Sequence, residues 1–125
     1  MTVARILVVD DDNQICDSIK DILESAGHDV VSSGNGAEAL TMLEKGRFDL
    51  ALLDIVVPKI DGYHLATHIA GLAHPPAIVF VSSRDYDQDE KVVESLGAAA
   101  FIRKPFQKRE LLRVVSNLLS QDKSS

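Results

Sequence analysis

Three consecutive carboxylates, Asp10, Asp11 and Asp12, follow directly on the apolar run ILVV near the start of the chain. Like charges this close repel one another, and each loses hydration where it is buried. A divalent cation between them would offset both costs, and Mg²⁺ prefers carboxylate oxygens and water as ligands. The cluster therefore predicts a cation site on the first two acids. Asp12 is expected at the start of a helix, where the helix dipole favours negative charge.

Other reactive residues also follow apolar runs. Asp54 comes after LALL, Ser82 after IVFV, and Lys104 after AFIR. Each has a plainer explanation when taken alone: a turn acid, a helix cap together with Ser83, and a surface lysine. An idle carboxylate is nevertheless costly at the end of so apolar a segment. Their shared position therefore favours one site built from all of them.

The elements that must position these residues alternate along the chain. Between the apolar runs lie segments with helical spacing, of which Ile15, Ile19 and Leu23 mark the first. Asn13 is expected to cap that helix, and Gly27 to follow its end. The predicted strands are Arg5–Val9, Asp29–Ser32, Leu50–Asp54, Ala77–Val81 and Ala100–Arg103. The further predicted helices are marked by Ala37, Leu40 and Leu43, by Leu65, Ile69 and Leu72, by Val92, Val93 and Leu96, and by Leu111, Leu112, Val115, Leu118 and Leu119.

This pattern is a βα unit repeated five times. The strands are apolar on both faces, as a parallel sheet covered by helices on both sides requires. The sequence therefore predicts an α/β fold with a doubly wound, parallel, five-stranded sheet. Ligands of such sheets bind beyond the carboxyl ends of the strands, where the strand order reverses. With the order 2-1-3-4-5, the first and third strands are neighbours there, so Asp10, Asp11 and Asp54 should converge.

Length and charge limit the possible functions. The chain has 125 residues, about the size of one domain, and a formal net charge of −6. We expect one domain over residues 1–120, with a loose stretch from Ser120 and a tail or the start of a linker at 121–125. The acidic balance argues against direct nucleic-acid or membrane binding. The absence of a signal peptide and a lone Cys16, predicted to be a packing residue, favour the cytoplasm.

Four motifs together carry a family resemblance: ILVVDDD, LALLDIVVPKIDG, IVFVSS and AAAFIRKPF. Each is weak alone, but all four stand at strand ends and at matching spacings. The chain resembles the receiver domain of two-component response regulators, the CheY-like superfamily, from residue 4 to about residue 120. The resemblance implies a flavodoxin-like fold.

The resemblance also implies a metal and phosphoryl site. Asp54 would accept the phosphoryl group. Asp10 and Asp11 would hold Mg²⁺, or Mn²⁺ in its place, with Asp11 bound directly and Asp10 bound directly or through water. The backbone carbonyl of Val56 would be a further ligand. A carboxylate can attack phosphorus to form an acyl phosphate, so the chemistry is consistent with these roles.

The remaining implied roles concern the response to phosphorylation. Ser82 would hydrogen-bond the phosphoryl group, and Lys104 would contact one of its oxygens, with a cis bond to Pro105. Phe101 would be the aromatic switch that moves inward with Ser82. A local gain of negative charge would then shift the face formed by the fourth helix, fifth strand and fifth helix.

The function expected from this resemblance is a phosphoacceptor switch and not a classical enzyme. A sensor histidine kinase or phosphotransfer protein would supply the phosphoryl group, and slow self-hydrolysis would remove it. An output domain or downstream protein would respond. The alternative is a phosphatase of the haloacid-dehalogenase type, which needs a second acid where Val56 stands. A flavodoxin-type binding module would need a phosphate-binding loop in place of the first acids.

A second metal site has a weaker basis. His64 and His68 lie four residues apart on a predicted helix, a spacing that can bind zinc. The glutamate of the HExxH motif is missing, because Leu65 follows His64. The sequence therefore favours plain surface histidines.

Overall fold

A computed structural model describes residues 3–55, 57, 59–83 and 94–124 of the chain. Five strands and four helices are defined in this part. The strands are β1 (Arg5–Val9), β2 (Asp29–Ser33), β3 (Leu50–Leu53), β4 (Ala77–Ser82) and β5 (Ala100–Arg103). The helices are α1 (Asn13–Ser25), α2 (Gly36–Lys45), α3 (Gly62–Ala70) and the C-terminal helix (Lys108–Ser124).

The strands form one sheet in the order β2-β1-β3-β4-β5. Every neighbouring pair is parallel. Both features confirm the predicted fold class. In this order β2 lies on one side of β1, and β3, β4 and β5 lie on the other side. The strand order therefore reverses between β1 and β3, and a ligand site is expected at this point.

Alternate residues of each strand pack into two separate hydrophobic cores, one on each face of the sheet. On one face, Ile6 and Val8 pack with α1 and the C-terminal helix. On the other face, Leu7 and Val9 pack with α2 and α3. This period of two explains why the strands read as continuous apolar runs, since both faces are covered by helices.

Several predicted boundaries differ from the structure. β2 and β4 each end one residue later than predicted, and β3 ends at Leu53, which leaves Asp54 just beyond its strand. Asp12, not Asn13, is the N-cap of α1, because its side chain accepts hydrogen bonds from the first amides of the helix. The C-terminal helix continues to Ser124, through the stretch that was predicted to be loose from Ser120.

Part of the predicted fourth helix lies outside the described residues. Val92 and Val93 fall there, whereas Glu94 and Ser95 are helical and Leu96 packs against the α2–α3 core. Gly97, two residues after Ser95, has a φ of +80°. None of the helices in the described ranges has the length and apolar character needed to cross a bilayer.

The start of α2 predicts a sharp effect of one substitution. A Cβ atom on Gly36 would lie 1.8 Å from the carbonyl oxygen of Ile60, in the loop that leads to α3. Because that neighbour is backbone, Gly36→Ala should destabilise the fold by at least about 2 kcal/mol. Urea unfolding measures the change. Gly34→Ala is the matched control, since nothing lies within 4 Å of its Cβ position. Equal stability of the two variants would contradict this packing.

Candidate phosphoryl and metal site

The loop after β1 turns its first acid inward and its third acid outward. The Asp10 amide donates to the carbonyl of Ser33 at 3.1 Å, which continues the strand ladder by one residue. The Asp10 side chain then accepts from the Asp12 amide at 2.9 Å and is only 3% exposed. Asp12 in turn accepts from the Gln14 amide at 2.9 Å. This last contact confirms that Asp12 lies at the helix start, where its charge complements the dipole.

Asp54 is held beside this loop by the neighbouring strand. Its amide donates to the carbonyl of Val9 at 2.8 Å, directly after the β1–β3 register pair of Val9 and Leu53. The loop beyond returns closely, because the Gly62 amide donates to the carbonyl of Ile55 at 2.9 Å. A Cβ on Gly62 would lie 2.3 Å from the carbonyl oxygen of Asp54, so this close approach requires glycine.

The three acids predicted to converge do so. Asp10, Asp11 and Asp54 can each offer a carboxylate oxygen such that all three oxygens lie within 4.8 Å of one another. Hard oxygen ligands of this kind suit Mg²⁺, which commonly takes a few carboxylates and keeps several waters. Asp10 is buried, Asp54 is partly buried and Asp11 is exposed. A cation could therefore enter from the solvent side.

Lys104 joins the cluster from the end of β5. Its backbone amide donates to the carbonyl of Ser82 at 3.0 Å, and its bond to Pro105 is cis, as the family resemblance implied. The Nζ atom lies 2.5 Å from Oδ2 of Asp10 and 3.1 Å from Oδ2 of Asp54. The ammonium thus bridges two acids that follow different strands, β1 and β3, and offsets part of the negative charge of the cluster.

Burial and charge act in opposite directions on this cluster. Burial raises the pKa of the Asp10 carboxyl, and the Lys104 hydrogen bond only partly opposes this effect. Burial alone would lower the pKa of Lys104, but hydrogen bonds to Asp10 and Asp54 outweigh it and the net shift is upward. Lys104 is therefore a charged ammonium at neutral pH. Three carboxyl groups face one ammonium here, an arrangement that favours binding of a divalent ion.

The two predicted switch residues, Ser82 and Phe101, lie on β4 and β5. Ser82 is buried, with 1% exposure, at the end of β4. Phe101 is half-buried on β5, in register with Phe80, and packs against the core formed with α2 and α3. Tyr63 of α3 contacts Phe80 edge-on, with ring centroids 5.6 Å apart. The backbone of Val56, predicted as a metal ligand, lies outside the described residues.

The structure adds one residue that the sequence did not assign to the site. Cys16 of α1 is buried, and its thiol donates to the backbone carbonyl of Asp10 at 3.1 Å. Burial, and then the charge of Asp10, raise the pKa of the thiol to about 11, so it stays protonated at neutral pH. No motif could have signalled this contact, because it depends on how α1 leaves the acidic loop.

The histidine pair is not part of a metal cluster. Nδ1 of His64 lies 2.9 Å from Oδ1 of Asp61, the N-cap of α3. Burial tends to raise the pKa of Asp61, but hydrogen bonds from His64 outweigh it and the net shift is downward. Within the described ranges, the acids of the β1 and β3 ends form the one group of three or more His, Cys, Asp or Glu ligands. Both His64 and His68 are exposed, as predicted for surface histidines.

The geometry predicts which of two adjacent acids matters for metal binding. Asp11→Asn should weaken Mg²⁺ binding by at least about tenfold, because it removes one carboxylate from the oxygen cluster. Asp12→Asn removes the same charge one residue later, but its side chain caps α1 and asparagine caps equally well. Its Mg²⁺ affinity should stay within about threefold of the parent's, since only screened charge is lost. Calorimetric titration distinguishes the two, and equal losses would contradict the assignment.

Comparison with known proteins agrees with this geometry. A sequence model of the response regulator receiver domain matches residues 6–116. The chain therefore belongs to the response regulator receiver domain family. It is 35% identical over 115 residues to the uncharacterized transcriptional regulatory protein YbdJ of Bacillus subtilis, covering 92% of this chain and 50% of that protein. The chain thus spans about half the length of the curated relatives it matches.

Solved structures show the same fold. A CheY-like receiver domain protein from Methanospirillum hungatei has a TM-score of 0.89 at 34% identity, covering 99% of this chain and 100% of that one. The receiver domain of the sensor histidine kinase PA1611 from Pseudomonas aeruginosa has a TM-score of 0.86 at 25% identity, covering 95% and 99%. That receiver domain has a magnesium ion coordinated in its active site cleft.

Proposed function

We propose that this receiver domain is a Mg²⁺-dependent phosphoacceptor switch with Asp54 as the acceptor. The observation that carries the proposal is the convergence of Asp10, Asp11 and Asp54, with Lys104 bridging the first and last of them. An acceptor carboxylate needs nearby positive charge to receive an anionic group, and this edge of the sheet offers both a cation-binding oxygen set and an ammonium.

Asp10, Asp11 and Asp54 would hold the metal, and the carbonyl of Val56 is a proposed further ligand. The oxygen donors suit Mg²⁺, or Mn²⁺ in its place. The magnesium-bound relative from Pseudomonas aeruginosa supports this assignment, since its fold is the same. When bound, the ion would neutralise charge on the phosphoryl oxygens and help align donor and acceptor.

The proposed reaction transfers a phosphoryl group from an imidazole nitrogen to a carboxylate oxygen. A carboxylate oxygen of Asp54 attacks the phosphorus of a phosphohistidine on a kinase or phosphotransfer protein. The new O–P bond forms as the P–N bond breaks, and the departing imidazole keeps the electron pair and takes a proton. Lys104, already 3.1 Å from Asp54 Oδ2, then lies close enough to contact a phosphoryl oxygen. Later attack by water on the acyl phosphate restores Asp54.

Ser82 and Phe101 are the proposed transmission path. Ser82 ends β4, and its carbonyl already accepts from the Lys104 amide, so it stands at the same edge as the acceptor. Movement of its hydroxyl toward the phosphoryl group would vacate space for the half-buried ring of Phe101. The result would be a population shift on the face that includes β5 and the C-terminal helix. An output domain or separate protein would read that face.

The haloacid-dehalogenase alternative has no support from the relatives. The family model that matches the chain and the two solved structures compared above are receiver domains. That alternative also needs a second acid at the position of Val56.

Incubation with acetyl phosphate tests the proposal without a cognate kinase. In the presence of Mg²⁺, rapid intact-mass measurement should show one added phosphoryl group. The same reaction with a chelator should show none, because the acids then lack the cation that offsets their charge. Acetylation of lysines by acetyl phosphate is distinguished from phosphorylation by its smaller increase in mass. No adduct on the folded protein, or an equal adduct without Mg²⁺, would contradict the proposed chemistry.

A further inference from the structure

The single cysteine of the chain touches the acidic loop directly. Cys16 lies one turn into α1 and is 5% exposed. Its thiol donates to the carbonyl oxygen of Asp10 at 3.1 Å. Its own amide donates to the carbonyl of Asp12 at 3.0 Å as part of the first helical turn. The same residue therefore holds the acidic loop through both its side chain and its backbone.

The carbonyl that the thiol contacts belongs to the peptide group joining Asp10 to Asp11. A peptide group is planar, so fixing the direction of its carbonyl also fixes the path of the chain between the two acids. The other polar atoms of Asp10 are held elsewhere: its amide by Ser33, and its carboxylate by Lys104 and the Asp12 amide. The thiol is thus a contact on the peptide plane between the two proposed metal ligands.

We propose that Cys16 is a positioning residue of the metal site, whose thiol orients the Asp10–Asp11 peptide and thereby sets the affinity for Mg²⁺. This inference rests on the proposed function, because it assumes that both acids hold the ion. Cys16 itself does not touch the ion or the phosphoryl group. Its effect acts through the relative placement of two carboxylates that must reach one cation together.

Three substitutions separate donor chemistry from packing. Cys16→Ser keeps a donor, Cys16→Val fills the space with apolar atoms but has no donor, and Cys16→Ala removes both the donor and the volume. A weak S–H···O contact corresponds to about a two- to fivefold change in affinity. Calorimetric titration with MgCl₂ should therefore give about two- to fivefold weaker binding for the Val and Ala variants. The Ser variant should stay close to the parent.

Ile19→Val is the matched control. Ile19 is buried in the same core, one turn further along α1 and away from the acids. Its truncation should lower stability without changing the Mg²⁺ affinity of the folded protein. If Cys16 were only a packing residue, the Ala variant would behave like this control. Affinity that follows side-chain volume, with Val equal to the parent and Ser weaker, would overturn the inference.

A second readout uses the unmodified chain. Since the chain has one thiol, its S–H stretching band in the infrared reports this contact alone. Saturation with Mg²⁺ should shift the band, because the peptide that accepts the bond lies between two ligands. An unshifted band despite measured Mg²⁺ binding would overturn the role of Cys16 while leaving the proposed function intact. No Mg²⁺ binding by the parent would overturn both.

Discussion

Asp54→Asn is expected to abolish phosphoryl uptake from acetyl phosphate completely. An amide cannot replace the carboxylate oxygen that attacks phosphorus, and the other acids of the cluster do not stand in for it. Stability should change by less than about 1 kcal/mol. The amide oxygen can still accept from Lys104, and the loss of one charge relieves repulsion with Asp10. Intact mass measures uptake, and urea unfolding measures stability.

The control for this variant lies at the opposite end of the same strand. Asp49 directly precedes β3, and its carboxylate accepts from the Arg5 amide at 2.8 Å, far from the acidic edge. Asp49→Asn makes the same chemical change and should retain full uptake. A phosphoryl adduct of normal extent in Asp54→Asn would show that another residue is the acceptor. Loss of uptake in Asp49→Asn would show that the assay reports folding instead.

Lys104→Met should have the largest effect on stability in the absence of metal. The Lys104 side chain is 15% exposed and bridges two acids, one of which is 3% exposed. Removing one partner of a buried charge pair leaves the other uncompensated, so we expect a loss of about 2–3 kcal/mol. In the parent, the hydrogen bond from Lys104 lowers the pKa of the Asp10 carboxyl. Without that hydrogen bond, the pKa should rise further. Urea unfolding in a chelating buffer measures the loss.

Magnesium should partly reverse that loss. Without the ammonium, the three acids repel more strongly and attract a divalent ion more tightly, by at least about tenfold. A ligand that binds only the folded state stabilises it in proportion to the logarithm of its concentration over its dissociation constant. The variant should therefore gain more from added Mg²⁺ than the parent does. Lys108→Met is the control, because Lys108 is an exposed lysine at the start of the C-terminal helix. An equal gain in both variants would contradict the proposed geometry.

The sheet and the site could be predicted because the informative residues stand at strand ends. Apolar runs such as LALL identify strands that are covered on both faces, and the polar residue that follows each run marks one edge. Once the strands are parallel, the order alone brings Asp54 to Asp10. The predicted order and the predicted convergence are both confirmed.

Short-range contacts were harder to predict, because they depend on the path of the backbone. Asp12 caps α1 in place of Asn13, since the chain bends one residue earlier than the helical pattern suggests. The thiol of Cys16 reaches the carbonyl of Asp10 only because α1 starts immediately after the acidic loop. Apolar spacing sets which helix face is buried, but not which backbone groups that face meets. The roles of Ser82 and Phe101 depend on movement and remain predictions.

The most direct test is to locate the phosphoryl group chemically. Borohydride reduces an acyl phosphate to an alcohol, so an aspartyl phosphate would become homoserine while ordinary aspartates stay unchanged. After treatment with acetyl phosphate and Mg²⁺, peptide mass spectrometry should find homoserine at position 54 and at no other aspartate. Omission of Mg²⁺ should remove the product. Homoserine at Asp10 or Asp11, or a phosphoryl adduct that yields no homoserine, would contradict a phosphoacceptor switch centred on Asp54.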